Sequence, residues 1–414
     1  MIAKAFFLVM ISVASVTLYA ALEPLSPIRD ANVPRVPAAQ KEIMSLATLR
    51  ERMDLLKEDR DGAGRLANDK SWRRARPLIL EFRATAGEDE PWSVTIGKKP
   101  DLSDGRTWCL ATAKLDATTG RLVAGSQTQD VFRVEVPQSN LEIASRYYWR
   151  VASRGRCGAW GCGPLHGCVA CQKVSESPIV SFRTEDFAPR WIELEGRVGN
   201  VRDLGGRIGL GGKRIRQGLV YRGEGLNDNS LNGERKGRNR LMVEDVDYLV
   251  GTLNIKTDLD LRGIGETADL TESPLGKGVK LILNSSESYK GVFTRSGMAV
   301  MASNFRVFCE RKNYPIYFHC IGGADRTGAL AYVLCGVLGV SRQELETDWE
   351  STFYPKIPDE HENPDYWRRE SHFNIGFSKY GDESTSWNDR IVLYLKDCGV
   401  LDEEIHRFRE IMLQ

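Results

Sequence analysis

The chain has 414 residues, with 57 Lys and Arg against 56 Asp and Glu, and a formal net charge of +1 at pH 7. This length suggests two or three domains, and a hydrophobic content of 42% is enough for ordinary globular cores. The balanced charge argues against a nucleic-acid-binding protein, because binding to a phosphate backbone needs a clustered basic excess. Beyond the N-terminal region, no stretch has the continuous apolar length of a membrane span.

The first residues contain a short apolar run. Lys4 precedes the stretch Ala5–Leu18, and the small residues Ala20 and Ala21 follow it. This order resembles a secretory signal peptide over residues 1–21, so we expect a secreted or periplasmic protein. An uncleaved membrane anchor is the less favoured alternative, because the run is short for a span.

Residues 22–73 combine a proline-rich stretch with a helical pattern. Glu23–Gln40 contains four prolines and is predicted to be a linker. After it, apolar residues recur every three or four positions, which predicts an amphipathic helix packed on a neighbour. These residues are Ile43, Leu46, Leu49, Met53 and Leu56.

From residue 74 to 186, short β-branched and aromatic runs alternate with turn residues, a pattern typical of a β-sandwich. The predicted strands are Leu78–Phe82, Trp92–Ile96, Trp108–Thr112, Val131–Val136, Tyr147–Ala152 and Ile179–Arg183. The segment Leu141–Ala152, which contains Tyr-Tyr-Trp-Arg-Val, resembles the late strands of fibronectin type III domains. The resemblance implies a module that spaces or orients a neighbouring domain and has a surface or protein partner.

An insertion at 157–171 concentrates four cysteines around His166. The cysteines are Cys157, Cys162, Cys168 and Cys171. They predict either two disulfides or a zinc site, and the last pair has metal-ligand spacing. We favour disulfides, because the first gap is long for a zinc ribbon and an exported chain meets an oxidising compartment. No metal site is therefore assigned.

Residues 190–414 alternate strand and helix patterns, which predicts an α/β domain with a mainly parallel sheet flanked by helices. The predicted strands are Leu219–Arg222, Ile255–Leu261, Lys280–Leu283 and Ile316–His319. The predicted helices are Val243–Leu253, Gly297–Arg311, Ala329–Leu338, Ser341–Phe353 and Asn388–Leu395. Ligands of such sheets bind beyond the carboxyl ends of the strands, which is where Cys320 follows His319.

The segment His319–Gly328 reads His-Cys-Ile-Gly-Gly-Ala-Asp-Arg-Thr-Gly and joins a predicted strand to a predicted helix. Backbone N–H groups at a helix N-terminus bind anions and favour a thiolate. Cys320 is therefore predicted as a nucleophile, Arg326 as a fork for two phosphoryl oxygens, and Thr327 as a donor to the departing sulfur. The predicted phosphate cradle is Ile321, Gly322, Gly323, Ala324, Asp325 and Arg326. A cysteine after a strand is usually a core residue, but the surrounding motif disfavours that interpretation here.

This loop resembles the signature loop of cysteine-dependent protein tyrosine phosphatases, in particular an atypical bacterial group whose loop reads His-Cys-x-x-Gly-Lys-Asp-Arg-Thr-Gly. Two further resembling segments occur in the family's order: Asn200–Gly206 with Gly218–Arg222, and Asp258–Arg262 followed by Glu266. The resemblance covers residues 190–414. It implies phosphomonoester hydrolysis without a cofactor, in which Cys320 is phosphorylated and water then releases phosphate.

The resemblance leaves the general acid open between Asp325, inside the loop, and Asp260. Asp260 and Arg262 close a predicted strand and either orient Arg326 or substrate, or form a structural ion pair. Supporting roles are likewise open for Arg202 and Asp203, which either border the pocket or form a salt-bridged turn. His319 is expected to hydrogen-bond backbone near the loop and to stabilise the thiolate indirectly.

Ala324 stands where the resembled group has lysine. Loss of that positive charge weakens the case for phosphoinositide or inositol phosphate substrates, which the group's lysine implies, and favours simpler phosphomonoesters. The polar run Glu234–Arg240 is either a solvated loop or a substitute basic rim.

Three functions therefore remain: a protein tyrosine phosphatase, including dual specificity; a phosphatase for inositol phosphates or phosphoinositides; and a non-catalytic phospho-ligand-binding surface protein. The presence of both Cys320 and Arg326 argues against the third. A sulfurtransferase of the rhodanese type also uses a cysteine loop, but its loop does not require Asp-Arg-Thr-Gly.

Overall fold

The computed structural model of the protein describes residues 22–48, 50–52, 54–55, 76–85, 92–110, 122–123, 129–136, 139–154, 173–230, 233–352 and 371–414. It divides into two compact units. The first comprises Met1–Ala31, Ile79–Glu135 and Tyr147–Phe182, and the second Asn32–Leu78, Val136–Arg146 and Arg183–Gln414. The predicted signal peptide (1–21) and the cysteine-rich insertion (157–171) lie outside the described residues. The domain limits drawn from the sequence stay a prediction.

The N-terminal region is built from strands. They are β1 Glu23–Ser26, β2 Ala31–Val33, β3 Leu78–Thr85, β4 Trp92–Gly97, β5 Arg106–Leu110, β6 Leu122–Val123, β7 Gln129–Val136, β8 Arg146–Arg154, β9 Lys173–Glu176 and β10 Val180–Thr184. One sheet has the order β1-β3-β7-β6, and the other β2-β10-β8-β4-β5, with β9 paired to β8. All six strands predicted here are present with shifted ends, whereas the sandwich and fibronectin-like arrangement remain predictions.

Aromatic side chains pack together in the first unit. The Phe82 ring lies 5.5 Å from Trp92 and 5.4 Å from Phe132, measured between centroids. Trp149 is fully buried, and its indole nitrogen donates to the Pro27 carbonyl at 2.8 Å. These contacts explain the aromatic residues of the alternating pattern, because a large ring supplies much of a small core.

The predicted linker and amphipathic helix differ from the structure. The linker segment contains β1 and β2, and helix α1 spans only Ala38–Ser45, since Leu46 is extended with ψ 131°. The continuous helix was therefore wrong. Thr48 explains the break: its hydroxyl accepts the Glu51 N–H at 3.2 Å, while the Glu51 carboxylate accepts the Thr48 N–H at 2.8 Å. This capping box begins a new helical turn. Leu49, Met53 and Leu56 lie outside the description.

Arg52 ties this early segment to the rest of the second unit. Its guanidinium is fully buried and donates to Glu350 through Nε at 2.5 Å and NH2 at 2.8 Å. Its NH1 donates to the Leu46 carbonyl at 2.7 Å. The buried charges are thus paired and hydrogen-bonded, as burial of ions requires.

The second unit contains a mixed six-stranded sheet in the order β11-β12-β13-β16-β14-β15. Its strands are β11 Arg190–Trp191, β12 Arg202–Asp203, β13 Val220–Gly223, β14 Thr257–Asp260, β15 Lys280–Leu283 and β16 Ile316–His319. The four strands β13, β16, β14 and β15 are parallel to one another, and β11 and β12 add antiparallel pairs. The α/β prediction is confirmed.

Helices follow most strands of this sheet. They are α2 Val243–Val246, continued by a π-helical turn at Asp247–Thr252, α3 Arg295–Phe308, α4 Asp325–Val337, α5 Arg342–Glu350, α6 Ser371–Phe377, α7 Trp387–Asp397 and α8 Asp402–Met412. Short 3-10 turns lie at Leu210–Gly212, Gly233–Arg235, Ile264–Glu266, Tyr289–Phe293 and Arg311–Asn313. Helices α6 and α8 were not predicted.

Both faces of the sheet are covered. Along β16, Ile316 and Phe318 join one apolar cluster and Tyr317 joins another, because successive side chains of a strand point to opposite faces. This double burial explains the apolar sequence of β16, the strand that ends at the cysteine loop. Within the described ranges, no helix combines the length and apolar character needed to cross a membrane.

Candidate active site

The cysteine loop connects β16 to α4. Cys320 follows the last residue of β16 and is 3% exposed, and α4 begins at Asp325. Gly323 has φ +67°, and a Cβ there would lie 2.4 Å from the Gly223 carbonyl oxygen. Only glycine fits this position, because it needs both a left-handed backbone and close approach to β13.

Three successive carbonyl oxygens of the loop accept hydrogen bonds from outside it. The Gly225 N–H, Asn200 Nδ2 and Arg222 NH2 donate to the carbonyls of Ile321, Gly322 and Gly323 at 3.0, 3.1 and 2.7 Å. In a trans peptide the N–H points away from the C=O, so the N–H groups of residues 322–324 turn away from these donors. Such a set of N–H groups at a helix N-terminus can surround an anion.

Arg326 is held in place before any ligand arrives. Its NH1 donates to Glu266 Oε2 at 2.5 Å and its NH2 to Glu266 Oε1 at 3.2 Å. The hydrogen bond from Arg326 lowers the pKa of Glu266, so the pair is ionised. A carboxylate that grips two nitrogens fixes the plane of the guanidinium. Glu266 is thus a positioning residue, known from the sequence only as part of a matched segment.

His319 lies behind the cysteine, and both its ring nitrogens face acceptors. Nδ1 is 3.1 Å from the Cys320 carbonyl oxygen and Nε2 is 3.0 Å from Asp258 Oδ1. The carbonyl can only accept, so Nδ1 donates to it, and a carboxylate beside Nε2 favours a second proton on the ring. Burial acts to lower the pKa of His319, but the carboxylates of Asp260 and Asp258 outweigh it, and the pKa is raised. The expected contact with backbone beside the loop is present.

The two candidate general acids have different surroundings. Asp260 is fully buried and accepts the Arg262 N–H, Nε and NH2. Burial acts to raise the pKa of Asp260, but His319 and Arg262 lower it overall, which keeps a carboxylate rather than an acid. Asp325 is half-buried in the first turn of α4 and accepts a hydrogen bond from the Tyr289 hydroxyl. The geometry favours Asp325.

Arg262 has structural partners. Its NH2 donates to Asn227 Oδ1 at 2.7 Å as well as to Asp260. The guanidinium is therefore held by these two residues. Of the two interpretations drawn from the sequence, the structural ion pair describes it. Arg262 nevertheless contributes to the wall of a cavity beside the loop.

Arg202 and Asp203 are fully buried, and neither lines the cavity beside the loop. Arg202 Nε donates to Asp348 Oδ1 at 3.0 Å. Asp203 accepts Arg190 NH1 at 3.1 Å and the Gly218 N–H at 2.7 Å. The expectation that they border the pocket is therefore replaced by the salt-bridged turn.

Asp348 is the shared anion of three buried arginines and was not found from the sequence. Its Oδ1 accepts Arg202 Nε at 3.0 Å and Arg207 NH2 at 2.7 Å, and its Oδ2 accepts Arg222 NH1 at 2.7 Å. Burial, followed by the charge of Arg202, lowers the pKa of Arg222 to about 9. Since Arg222 also holds the Gly323 carbonyl, Asp348 in α5 is linked to the cysteine loop through one side chain.

Thr327 and three cysteines besides Cys320 also lie in this unit. The Thr327 hydroxyl is buried and has no hydrogen-bond partner among the described residues, so it does not bond the Cys320 sulfur in this state. Burial raises the pKa of the Cys309, Cys335 and Cys398 thiols to about 12. In the part of the chain that the structure covers, no group of three or more His, Cys, Asp or Glu side chains could hold a metal.

A cavity of about 400 Å³ adjoins the loop. Ile321 and Gly322 form its border with the loop, and Arg235 and Arg240 of the polar run contribute to its wall. Through Arg235 and Arg240, the run Glu234–Arg240 thus supplies a basic rim beside the cysteine loop.

These features define a cysteine loop with a fixed arginine at a helix N-terminus. A family model described as "Tyrosine phosphatase family" matches residues 192–372. The chain is 26% identical over 189 residues to "Putative tyrosine-protein phosphatase H16_A0669" of Cupriavidus necator, covering 38% of this chain and 64% of that protein. It thus spans less than two thirds of that relative. Both findings support a phosphatase of this family.

A solved structure is also similar in part. It is the core catalytic domain of PP-IP phosphatase SIW14 from S. cerevisiae in complex with citrate, with 18% identity, a TM-score of 0.25, and coverage of 38% of this chain and 84% of that one. A likeness at this TM-score does not establish a shared fold.

Proposed function

We propose that the protein is a phosphomonoester hydrolase, acting as a protein tyrosine phosphatase, dual specificity included, through a phosphocysteine on Cys320. The observation that supports this most is the combination of a buried cysteine at the N-terminus of α4 with Arg326 fixed by Glu266. The family match over residues 192–372 supports it independently and suggests phosphorylated substrates.

In the first step, the Cys320 thiolate attacks phosphorus, and the bond to the ester oxygen breaks. The N–H groups of residues 322–324 and the guanidinium of Arg326 hold the equatorial oxygens, where charge spreads in the transition state. Asp325 gives its proton to the leaving oxygen, so that an alcohol or phenol departs. The positive charge of His319 behind the loop favours the thiolate.

In the second step, water attacks the phosphocysteine and the S–P bond breaks. Asp325, now a carboxylate, takes the proton of the water, and inorganic phosphate leaves with Cys320 restored as thiolate. The Thr327 hydroxyl, which has no hydrogen-bond partner among the described residues, is the proposed donor to the departing sulfur. The cycle needs no metal or redox cofactor.

Replacement of the nucleophile tests this mechanism. Cys320→Ser should abolish turnover of para-nitrophenyl phosphate and vanadate should inhibit the native protein, whereas the half-buried Cys398→Ser control should retain activity. Full activity of the Cys320 variant would refute the proposal. If the native protein shows no turnover and the Cys320→Ser variant binds a phosphotyrosine peptide as tightly as the native protein does, the non-catalytic alternative is supported instead.

A second substrate class has one observation in its favour. The basic cavity beside the loop offers arginine side chains to a polyphosphorylated molecule such as an inositol phosphate. Rates on a phosphotyrosine peptide and on inositol phosphates, measured side by side, separate the two classes.

We also propose that the chain is exported and that its N-terminal sheets form a fibronectin-like sandwich facing a surface or protein partner. Two disulfides in the insertion would leave five thiols, because the chain has nine cysteines and four lie there. Thiol titration of the denatured, unreduced protein should therefore count five. A count of nine thiols in protein isolated from outside the cell would exclude the disulfides. A chain found in the cytoplasm with residues 1–21 still present would exclude export.

A further inference from the structure

We propose that the cavity beside the cysteine loop is a second anion subsite, which binds a second phosphate group of the substrate and has Arg235 as its main determinant. The inference rests on the proposed phosphatase function. It adds that small polyols with two phosphates are preferred over those with one.

The cavity is continuous with the candidate phosphate loop. Ile321 and Gly322 belong both to the loop and to the cavity wall. A molecule that places one phosphate over Cys320 therefore has its remaining groups next to this space. The volume of about 400 Å³ lies within the range of small-molecule sites.

Most of the arginines in the wall already have partners. Arg197 donates to Asp228 through NH1 at 3.0 Å and NH2 at 2.7 Å. Arg240 pairs with Glu224, and Arg262 with Asp260. These three charges are neutralised locally, so they give the wall shape and donors rather than a surplus of charge.

Arg235 supplies the surplus. It ends the 3-10 turn Gly233–Arg235, is exposed, and makes no side-chain hydrogen bond or ion pair with the residues that the structure describes. Its charge contributes to lowering the pKa of Asp228, which places it in electrostatic reach of the cavity wall. An anion in the cavity would give this guanidinium the partner that it lacks.

Arg240 contributes an unsatisfied donor. Its Nε is buried, and no described residue accepts a hydrogen bond from it; a carboxylate oxygen of Asp228 lies 3.9 Å away, beyond hydrogen-bond distance. Buried N–H groups are normally paired, so an unpaired one in a cavity wall indicates a site for an acceptor.

The chemistry of the wall suits the hydroxyl groups of a small polyol. Arginines and the amides of Asn227 and Asn229 donate hydrogen bonds, while Asp228 and Glu224 accept them, as hydroxyl groups require. The apolar side chain of the wall is that of Ile321, so an aromatic or aliphatic peptide residue would find little to pack on. Arg235 thereby restores near the loop the positive charge that Ala324 lacks.

The test compares Arg235→Gln with Lys236→Gln. Lys236 is the next residue, lies outside the cavity wall, and pairs with the exposed Asp269 at 3.4 Å, so its variant removes the same charge from the same turn. The readout is the ratio of kcat/KM for a myo-inositol bisphosphate to kcat/KM for the matching monophosphate. We expect the native ratio to exceed one, and Arg235→Gln to lower it by about tenfold, as loss of a charge-assisted hydrogen bond would. Lys236→Gln should leave it unchanged.

Higher salt should also lower the native ratio, because Arg235 is exposed. An equal fall of the ratio in both variants, an unchanged ratio in Arg235→Gln, or a native ratio of one or less would overturn the subsite. Turnover of para-nitrophenyl phosphate by the native protein is measured in parallel. Its absence would refute the phosphatase function itself, whereas its presence with an unchanged ratio refutes the subsite alone.

Discussion

The Asp348→Asn substitution tests whether one buried carboxylate organises the back of the site. The carboxylate accepts hydrogen bonds from Arg202, Arg207 and Arg222. Asparagine keeps one oxygen and replaces the other with an NH2 donor that faces a guanidinium. Breaking a buried ion pair costs about 3–5 kcal/mol, because the remaining charge stays buried without a partner. For a unit of this size each kcal/mol lowers Tm by about 2–4 °C, so we expect a loss of roughly 10 °C.

Calorimetry at pH 7 measures this loss, with Asp269→Asn as the control. Asp269 is an exposed partner of Lys236, and exposed pairs contribute about 0–1 kcal/mol. The Asp348 variant should also turn over para-nitrophenyl phosphate more slowly, since Arg222 carries the Gly323 carbonyl. A shift of Tm no larger than that of the control would refute the shared-anion argument.

The pH dependence gives a second check. Burial acts to raise the pKa of Asp348, but the charges of Arg202, Arg207 and Arg222 lower it below its ordinary value of 3.8. A carboxyl whose pKa is lower in the folded state stabilises the fold above its unfolded value and loses that contribution as the pH falls. The difference in stability between native and Asp348→Asn protein should therefore be constant from about pH 8 to 5 and narrow below about pH 4.

Three further predictions concern the site and the early segment. Asp325→Asn should lower kcat on phenyl phosphate by about 10²–10⁴-fold and affect para-nitrophenyl phosphate less, because its leaving group needs less protonation; equal losses on both would argue against an acid. Glu266→Gln should raise both the KM for monoesters and the inhibition constant of vanadate, since Arg326 loses its carboxylate partner. An unchanged inhibition constant would contradict this positioning role. Arg52→Met should lower Tm by roughly 10 °C, as the buried Glu350 carboxylate loses the guanidinium that donates two hydrogen bonds to it. The double variant with Glu350→Met should recover most of that loss, and a double variant as unstable as the single one would show that packing, not charge, is responsible.

The loop was predictable because its chemistry is contiguous in sequence. Cys320, Arg326 and the glycines lie within one strand-turn-helix segment, and the strand before them carries an apolar pattern that burial on both faces requires. Residues that reach the loop from distant parts of the sequence could not be recognised in this way. Glu266 and Asp348 are ordinary acidic residues in polar surroundings, and nothing in local spacing distinguishes them from solvated ones.

The preference for Asp325 over Asp260 as the proposed acid rests on burial and on neighbouring charges, which the sequence does not show. Asp260 and Asp325 are equivalent as letters in a motif, but Asp260 is enclosed by Arg262 while Asp325 is half-buried in the loop helix. The break between α1 and the next turn had a sequence signal, the Thr48–Glu51 capping box, which the apolar periodicity masked. Helix α8 carries apolar residues at helical spacing, Ile405, Phe408 and Met412, and could have been predicted from them.

The Arg52–Glu350 pair has a consequence for the order of folding. The two residues are separated by 298 positions, so during synthesis at about 5–20 residues per second the arginine waits roughly 15–60 seconds for its carboxylate. In that interval the segment that carries Arg52 lacks its buried contacts and is available to a chaperone or another partner. A fragment cut to the family match at 192–372 would leave Glu350 in place and omit the arginine altogether. The smallest piece of this chain that folds is therefore expected to begin well before the region that resembles its relatives.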